Sequence, residues 1–459
     1  MDYSKCLWAT AHALILGRFD IHERMRDMCG MMSPKPIAVF GVTNQIYMQR
    51  YHTVFASLAC EESPDVDMFL LVDTGEALES AHDVDAAVHD WQISAPAGLR
   101  HSINYVPVDL SLNFTRNQFH TSWPEVAYWW VMGPELFYEL GYRYAVYVDG
   151  DVFANSAFHS GGSFECSMIR SQLVPLLAAD NDSRRRKEPA QERLVAGAVE
   201  SPLGIMISAL GGDEALLARH SALGFSMQHM LLSEHALTVN TGVLVFSCAE
   251  SHTWRLLQGM LHLAQVCAEL GITPIMGDMH LFGLLLMLVA DAHDGHEPRS
   301  GHTRPHLHLV EIIEKAVLRQ QQSSSLSSSS RDHTSRLLPE SPLLKDFFRE
   351  LPVSWNFRFN RNRAAVEVDH RTGELSFRYE LGHSTDSTTG KVEPLLVHFT
   401  WAKPWLLDET DHDSDIIAAD PDIWDLSRLE FARKWQELRD KLSSSDLSEQ
   451  KEAGGVRAS

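Results

Sequence analysis

From Pro36 onward the chain alternates short apolar runs with helical patterns, and this alternation constrains the fold more than any other feature. Ile37-Ala-Val-Phe-Gly-Val reads as a buried strand. Gln45 to Ala59 reads as a helix with Tyr47, Tyr51, Val54, Phe55 and Leu58 on one face. Met68-Phe-Leu-Leu-Val is a second strand and Ser102-Ile-Asn-Tyr-Val-Pro a third. Pro124 to Leu140 suits a helix with proline near its first turn. Tyr144-Ala-Val-Tyr-Val is a fourth strand. Strands alternating with helices predict an α/β fold with a mostly parallel sheet covered on both faces. Ligands in such sheets sit beyond the carboxyl ends of the strands, so the residues just after the fourth strand are the first place to look.

The pattern then loosens. Asn155 to Glu234 reads as an insertion with helices at Ile169 to Ala178 and Asp213 to Leu223, and it carries the basic run Arg184-Arg-Arg-Lys. Thr241 to Phe246 is another core strand, and Thr253 to Leu270 and Met279 to Ala290 are helices. Gln320-Gln-Gln followed by a serine-rich run has the composition of a flexible linker. Short strands follow at Ala365 to Val368, Leu375 to Tyr379 and Leu395 to Phe399, then a helix near Leu426 to Leu442. The expected organisation is a helical extension over 1–35, a core over 36–318 and a linker over 319–337. The remainder of the core follows over 338–410, and a helical tail over 411–459.

Lysine plus arginine is 39 and aspartate plus glutamate 61, a formal charge of −22. Such a chain is a poor partner for nucleic acid or an anionic membrane surface. A phosphate-bearing ligand needs a metal ion or local basic groups to enter against that field. The six cysteines form no CxxC pair and are too sparse for a disulfide scaffold. The longest apolar run, Leu281 to Ala290, is about half of a membrane span and reads as a buried helix. The apolar patch Cys6 to Gly17 lacks a basic start and reads as an amphipathic helix. Asn113-Phe-Thr and Asn181-Asp-Ser are glycosylation triplets that matter only in a secreted chain. The compartment, cytosol or secretory pathway, stays open.

The strongest chemical signal is Asp149-Gly150-Asp151 at the end of the fourth strand. Side chains two apart in an extended segment point the same way, and glycine allows a tight turn between them. Two hard oxygen ligands at one point suit Mn2+ or Mg2+, completed by water and substrate phosphates. The plain alternative is an acidic turn at a strand end.

This segment resembles the DxD motif of GT-A fold glycosyltransferases, in particular retaining family 8, the glycogenin-like and galactosyl- and glucuronyltransferase-like enzymes. Four further segments fall in that family's order. Phe40-Gly-Val-Thr43-Asn44-Gln-Ile-Tyr47 resembles its first strand and nucleotide-binding turn. Asn240-Thr241-Gly242-Val-Leu-Val-Phe resembles its N-[ST]-G strand, and Gly277-Asp278-Met279-His280 its D-Q helix start. Val397-His398-Phe-Thr-Trp401-Ala-Lys403-Pro404-Trp405 resembles its H-[FY]-x-G-x-x-K-P-W signature, one residue short.

The resemblance implies a GT-A nucleotide-sugar-binding core whose C-terminal segment folds back over the donor site. It implies a UDP-sugar donor, a glycan or glycoprotein acceptor, and transfer of a hexose. His398 would join Asp149 and Asp151 on Mn2+ (or Mg2+), and Lys403 would face the leaving diphosphate, where a cation stabilises developing charge. Asn240 would meet the donor sugar or phosphates, with Gly242 allowing close approach. Asp278 would bind a sugar hydroxyl or merely begin a helix. Thr43, Asn44 and Tyr47 read equally as a uracil and ribose cradle or as a strand-to-helix connection capped by Asn44.

Three departures bear on mechanism. Trp401 replaces the family glycine between His398 and Lys403. Met279 replaces a glutamine that lies near the reacting carbon in some members. A thioether cannot serve as a nucleophile there, so front-side displacement fits better than a covalent intermediate. The family's basic residue upstream of the DxD is not evident; the chain has Tyr128-Trp129-Trp130 in that region. These departures motivate a rival reading, a catalytically degenerate GT-A protein that binds a glycan or nucleotide. A nucleotidyltransferase ranks last, because no glycine-rich basic phosphate loop follows the first strand. The histidines between His293 and His308 share no helix or strand face and read as a solvated loop.

Overall fold

The computed structural model describes residues 36–74, 81–108, 125–155, 164–178, 192–209, 214–225, 236–292, 308–325, 347–358, 364–368, 375–379, 391–392, 394–399 and 435–442, with short pieces at 212, 230–231 and 344. The strands are β1 Ile37–Asn44, β2 Val66–Asp73, β3 Ile103–Val108, β4 Tyr144–Val148, β5 Val152–Ala154, β6 Val195–Pro202 and β7 Leu237–Ser247. They continue as β8 Phe348–Glu350, β9 Phe357–Arg358, β10 Ala364–Val368, β11 Leu375–Tyr379, β12 Lys391–Val392 and β13 Leu396–His398.

Seven strands form one sheet in the order β3-β2-β1-β4-β7-β6-β8. Neighbours pair in parallel except at β7, which runs against both β4 and β6. This is the mostly parallel α/β sheet the alternation predicts. Its strands are buried on both faces, which is why they read as unbroken apolar runs. Phe40, Phe69 and Tyr147 face one hydrophobic cluster, while Val39, Met68 and Val146 face the other. Successive side chains thus serve opposite cores.

Strand order reverses between β1 and β4, since β2 lies on the far side of β1. A crevice opens at the carboxyl ends of such neighbours, the topological switch point. The antiparallel run of β7 brings its amino-terminal half to the same edge. A second sheet, β5-β13-β9, stands at that edge too. It returns the C-terminal part of the chain to the end of β4. A third sheet, β10-β11-β12, is antiparallel.

Several expected helices are broken. Gln45 to Ala59 opens as a 3-10 turn over Gln45–Tyr47 before the helix Met48–Leu58. Pro124 to Leu140 divides into a 3-10 stretch Glu125–Met132 and a helix Gly133–Glu139. Pro134 has no N–H to bond backward, so it starts a helix rather than continuing one. Thr253 to Leu270 breaks at Arg255, which adopts a left-handed conformation (φ 54). A new helix, Leu256–Glu269, begins there, and the buried Glu135 carboxylate accepts its Leu257 N–H at 2.9 Å. Ile169 to Ala178 is a π turn followed by a 3-10 turn.

The Leu281 to Ala290 run lies in the helix Asp278–Asp291 and is buried throughout. Among the described residues no helix is long and apolar enough to cross a membrane. The helix Leu309–Ser325 takes in the first residues of the serine-rich stretch. Cys60 and Cys166 form a disulfide with Cα atoms 5.3 Å apart, while Cys248 and Cys267 are buried free thiols. The pair links positions 106 residues apart in sequence. The patch Cys6 to Gly17, Asn113, Asn181, the run from Arg184 to Lys187 and the histidines from His293 to His306 lie outside the described residues.

Candidate metal and donor site

β4 delivers the acids. The Asp149 N–H donates to the Gly242 carbonyl at 2.9 Å, the last rung joining β4 to β7. Beyond it the chain turns sharply: Asp149 Oδ1 accepts the Gly150 N–H at 2.7 Å, and the Asp149 carbonyl accepts the Val152 N–H at 3.1 Å. Gly150 sits against Tyr51, where a Cβ would stand 3.0 Å from the ring. Asp149 is half-buried, whereas Asp151 is buried with its carbonyl accepting the Phe399 N–H at 3.1 Å.

β13 brings the third group. It pairs antiparallel with β5, setting His398 opposite Val152, and parallel with β9. His398 is buried, and its Nε2 stands 3.0 Å from Asp151 Oδ1. One ligand atom each from Asp149, Asp151 and His398 can be chosen so that all lie within 4.8 Å of one another. Gly242 makes room for the ring, since a Cβ there would collide with it.

The other face of the imidazole is lined by amides. Asn240 Oδ1 lies 2.9 Å and Asn356 Oδ1 3.2 Å from His398 Nδ1. Asn240 Oδ1 also accepts the Gly242 N–H at 2.9 Å and Asn356 Nδ2 at 2.8 Å. With Nδ1 donating, Nε2 presents a lone pair to the Asp151 carboxylate. Two acceptors 3.0 Å apart repel one another, and a cation between them relieves that repulsion. The second carboxylate of Asp149 favours a divalent one. The donor set therefore fits Mn2+ or Mg2+. Asn240, expected against the donor sugar or the phosphates, has its side-chain oxygen at the back of His398.

Asp278 is the first residue of its helix and is buried. Its Oδ2 accepts Trp130 Nε1–H at 2.6 Å, and Thr241 and the Met279 N–H also bond to the carboxylate. Burial, reinforced by the charge of Asp149, outweighs these donors and raises its pKa to about 7. Burial and the Asp149 charge also hold the Tyr51 and Tyr147 phenols well above their usual range. Met279 is half-buried and packs against the core.

At the end of β1, Thr43 is buried with its hydroxyl on the Asn44 carbonyl. Asn44 Oδ1 accepts the Tyr47 N–H at 3.2 Å, so the side chain does cap the turn. Tyr47 is half-buried, with the Arg50 guanidinium 4.1 Å from its ring centroid. Lys403, with Trp401, Pro404 and Trp405, lies outside the described residues.

Sequence reasoning missed Trp130 and Asn356. Trp130 stood in view as part of an aromatic run, but nothing marked its indole N–H as the partner of Asp278. Asn356 follows Val353-Ser-Trp and belongs to no motif.

No protein-family model matches the sequence, and no curated protein matches it. Among solved structures it is similar to the galactosyltransferase LgtC. An active-site mutant of that enzyme aligns at 11% identity over 88% of this chain and 95% of its own, with a TM-score of 0.41. The complex of LgtC with donor and acceptor sugar analogues aligns with a TM-score of 0.37. The glycosyltransferase GlyE of Streptococcus pneumoniae aligns at 12% identity over 90% of this chain and 64% of its own, with a TM-score of 0.31. Likeness at this level locates no residue of the site.

Proposed function

We propose that this chain is a metal-dependent glycosyltransferase of the retaining, family 8 kind, moving a hexose from a UDP-sugar to a hydroxyl of a glycan or protein. The observation that carries the reading is the convergence of Asp149, Asp151 and His398 at the switch-point edge of the sheet. In an acidic protein a diphosphate needs such a counter-charge.

Asp149, Asp151 and His398 would hold Mn2+ or Mg2+, which when bound supplies Lewis-acid charge to the diphosphate oxygens. Thr43, Asn44 and Tyr47 line the end of β1 and serve the uridine. The family resemblance gives Lys403 the role of stabilising the leaving UDP. Asp278, fixed by Trp130, Thr241 and its own helix N-terminus, meets the hexose. Front-side displacement suits the site because Met279 offers no nucleophile: the acceptor oxygen bonds the anomeric carbon as the phosphate departs, taking the hydroxyl proton.

The test is hydrolysis of UDP-glucose, UDP-galactose, UDP-N-acetylglucosamine, UDP-xylose and UDP-glucuronate with Mn2+ or EDTA. We expect Mn2+-dependent release of UDP from one donor, reduced about 100-fold or more by Asp151→Asn or His398→Ala. Undiminished turnover in those variants overturns the site assignment. The apolar packing of Met279 favours a second reading, a non-catalytic binder of nucleotide or glycan. Mn2+-dependent UDP binding by calorimetry, without turnover of any donor, selects it.

A further inference from the structure

The back of the His398 ring carries information that the three metal-facing groups do not. Gly242 N–H is an obligatory donor 2.9 Å from one terminal atom of the Asn240 amide, which must therefore be the oxygen. Asn356 Nδ2 then donates to that oxygen at 2.8 Å, and also reaches the Asn240 carbonyl at 3.5 Å, which leaves Asn356 Oδ1 facing the histidine. His398 Nδ1 thus stands within hydrogen-bonding distance of two amide oxygens, at 2.9 and 3.2 Å. A nitrogen so placed must carry its hydrogen, and in the neutral ring Nε2 is then left with a lone pair.

We propose that Asn356, together with Asn240, is a positioning residue that fixes His398 in the Nδ1–H tautomer and so prepares Nε2 as a metal ligand before any metal arrives. This rests on the metal site proposed above. Imidazole ligands are commonly oriented through a hydrogen bond from the other ring nitrogen. Amides suit this site in particular: a carboxylate in place of Asn356 would add a third negative charge beside Asp149 and Asp151.

Asn356 is held rigidly enough for the task. It is buried, and the Trp355 before it is buried edge-on to Phe164, their ring centroids 6.0 Å apart. The Trp355 N–H donates to the Pro352 carbonyl at 3.0 Å, and the Ser354 carbonyl accepts the Leu395 N–H at 2.7 Å. Immediately after it, Phe357 pairs with Val397 beside His398. The amide, at the end of the 3-10 turn that leads into β9, is thus held beside the imidazole by a strand pairing whose register is fixed.

The experiment uses the full chain with 15N-labelled histidine in mildly alkaline buffer with EDTA, and His398→Gln to assign the resonance. We expect Nδ1 of wild-type His398 to be pyrrole-like and Nε2 pyridine-like. In Asn356→Leu we expect the ring to shift toward the Nε2–H tautomer. Counting free Mn2+ by electron paramagnetic resonance with UDP present, we expect this variant to bind 10–100-fold more weakly, roughly the loss typical of such outer partners. A proton on Nε2 in the metal-free wild type, in a neutral or a charged ring, overturns the proposal without need of the variant. So does an Asn356→Leu protein that loses thermal stability yet keeps tautomer and Mn2+ affinity, since Asn356 would then be structural only. The expected tautomer without Mn2+ binding to wild type would support the lock while overturning the metal reading.

Discussion

The two sides of the candidate metal site are built differently. The acidic side is one turn, Asp149-Gly150-Asp151, delivered whole by β4 and closed by bonds within four residues. The imidazole side gathers His398, Asn240 and Asn356 from three segments, with hydrogen bonds spanning 42 to 158 residues. Local geometry thus closes the turn that carries the carboxylates, to which Gly242 and Phe399 add backbone bonds, whereas the histidine needs the tertiary fold to close first. Closing so long a loop costs chain entropy, and β13 offsets it by pairing on both edges, with β5 and with β9. The carboxylates should accordingly tolerate small changes that the histidine side does not.

Gly242→Ala is the strongest test of that difference. The added methyl would collide with the His398 ring, which β5 and β9 prevent from moving aside. Overpacking of this kind costs about 1–3 kcal/mol, and we expect Mn2+ affinity to fall by about tenfold or more, as for loss of an orienting partner. Full affinity measured by calorimetry with UDP would mean that the histidine side is as forgiving as the turn. Gly150→Ala is the matching change on the acidic side. Its methyl would meet the Tyr51 ring first, at 3.0 Å, and asks the ring to give by a few tenths of an ångström. We expect a loss of about 1 kcal/mol or less in stability and an Mn2+ affinity within about threefold of wild type, a change worth under 1 kcal/mol. If the two glycines prove equally sensitive, the contrast between the sides fails.

The same contrast decides what could be read from the sequence. β1 to β4 were legible because strands buried on both faces are continuous apolar runs, and the acids follow β4 directly. His398 was legible only through its resemblance to a known signature. Nothing in the periodicity brings residue 398 to residue 149, because the pairing of β13 with β5 is set by packing. Asn240 was visible as a motif expected against the donor sugar or the phosphates; the buried imidazole whose Nδ1–H its oxygen accepts lies 158 residues away, and nothing local marked that pairing. Asn356 left no signal, being one amide in a 3-10 turn. The helix break at Arg255 was hidden as well, since a non-glycine residue in the left-handed region is not marked by its identity, and the Glu135 acceptor for the next helix comes from 122 residues upstream.

Glu135 allows long-range closure to be separated from site chemistry. Its carboxylate makes a distant buried bond, as the amides do, but it caps the helix Leu256–Glu269 rather than holding His398. Burial raises its pKa from 4.5 to about 7, despite the Leu257 N–H and the charge of Arg255. A carboxyl raised on folding binds its proton more tightly in the folded state than in the unfolded one. Its contribution is therefore fully present below about pH 4.5 and is lost as pH rises to about 7. The full span is worth at most about 3 kcal/mol. Glu135→Gln keeps an oxygen for the Leu257 N–H and removes the titration. We expect urea unfolding to show the variant gaining on wild type through that window and holding its advantage above it. Mn2+ affinity should not change, making this the smallest effect of the three on the site. A loss of Mn2+ affinity in Glu135→Gln would mean that the site responds to long-range closure in general, and the difference between its two sides would then owe nothing to the amides behind His398.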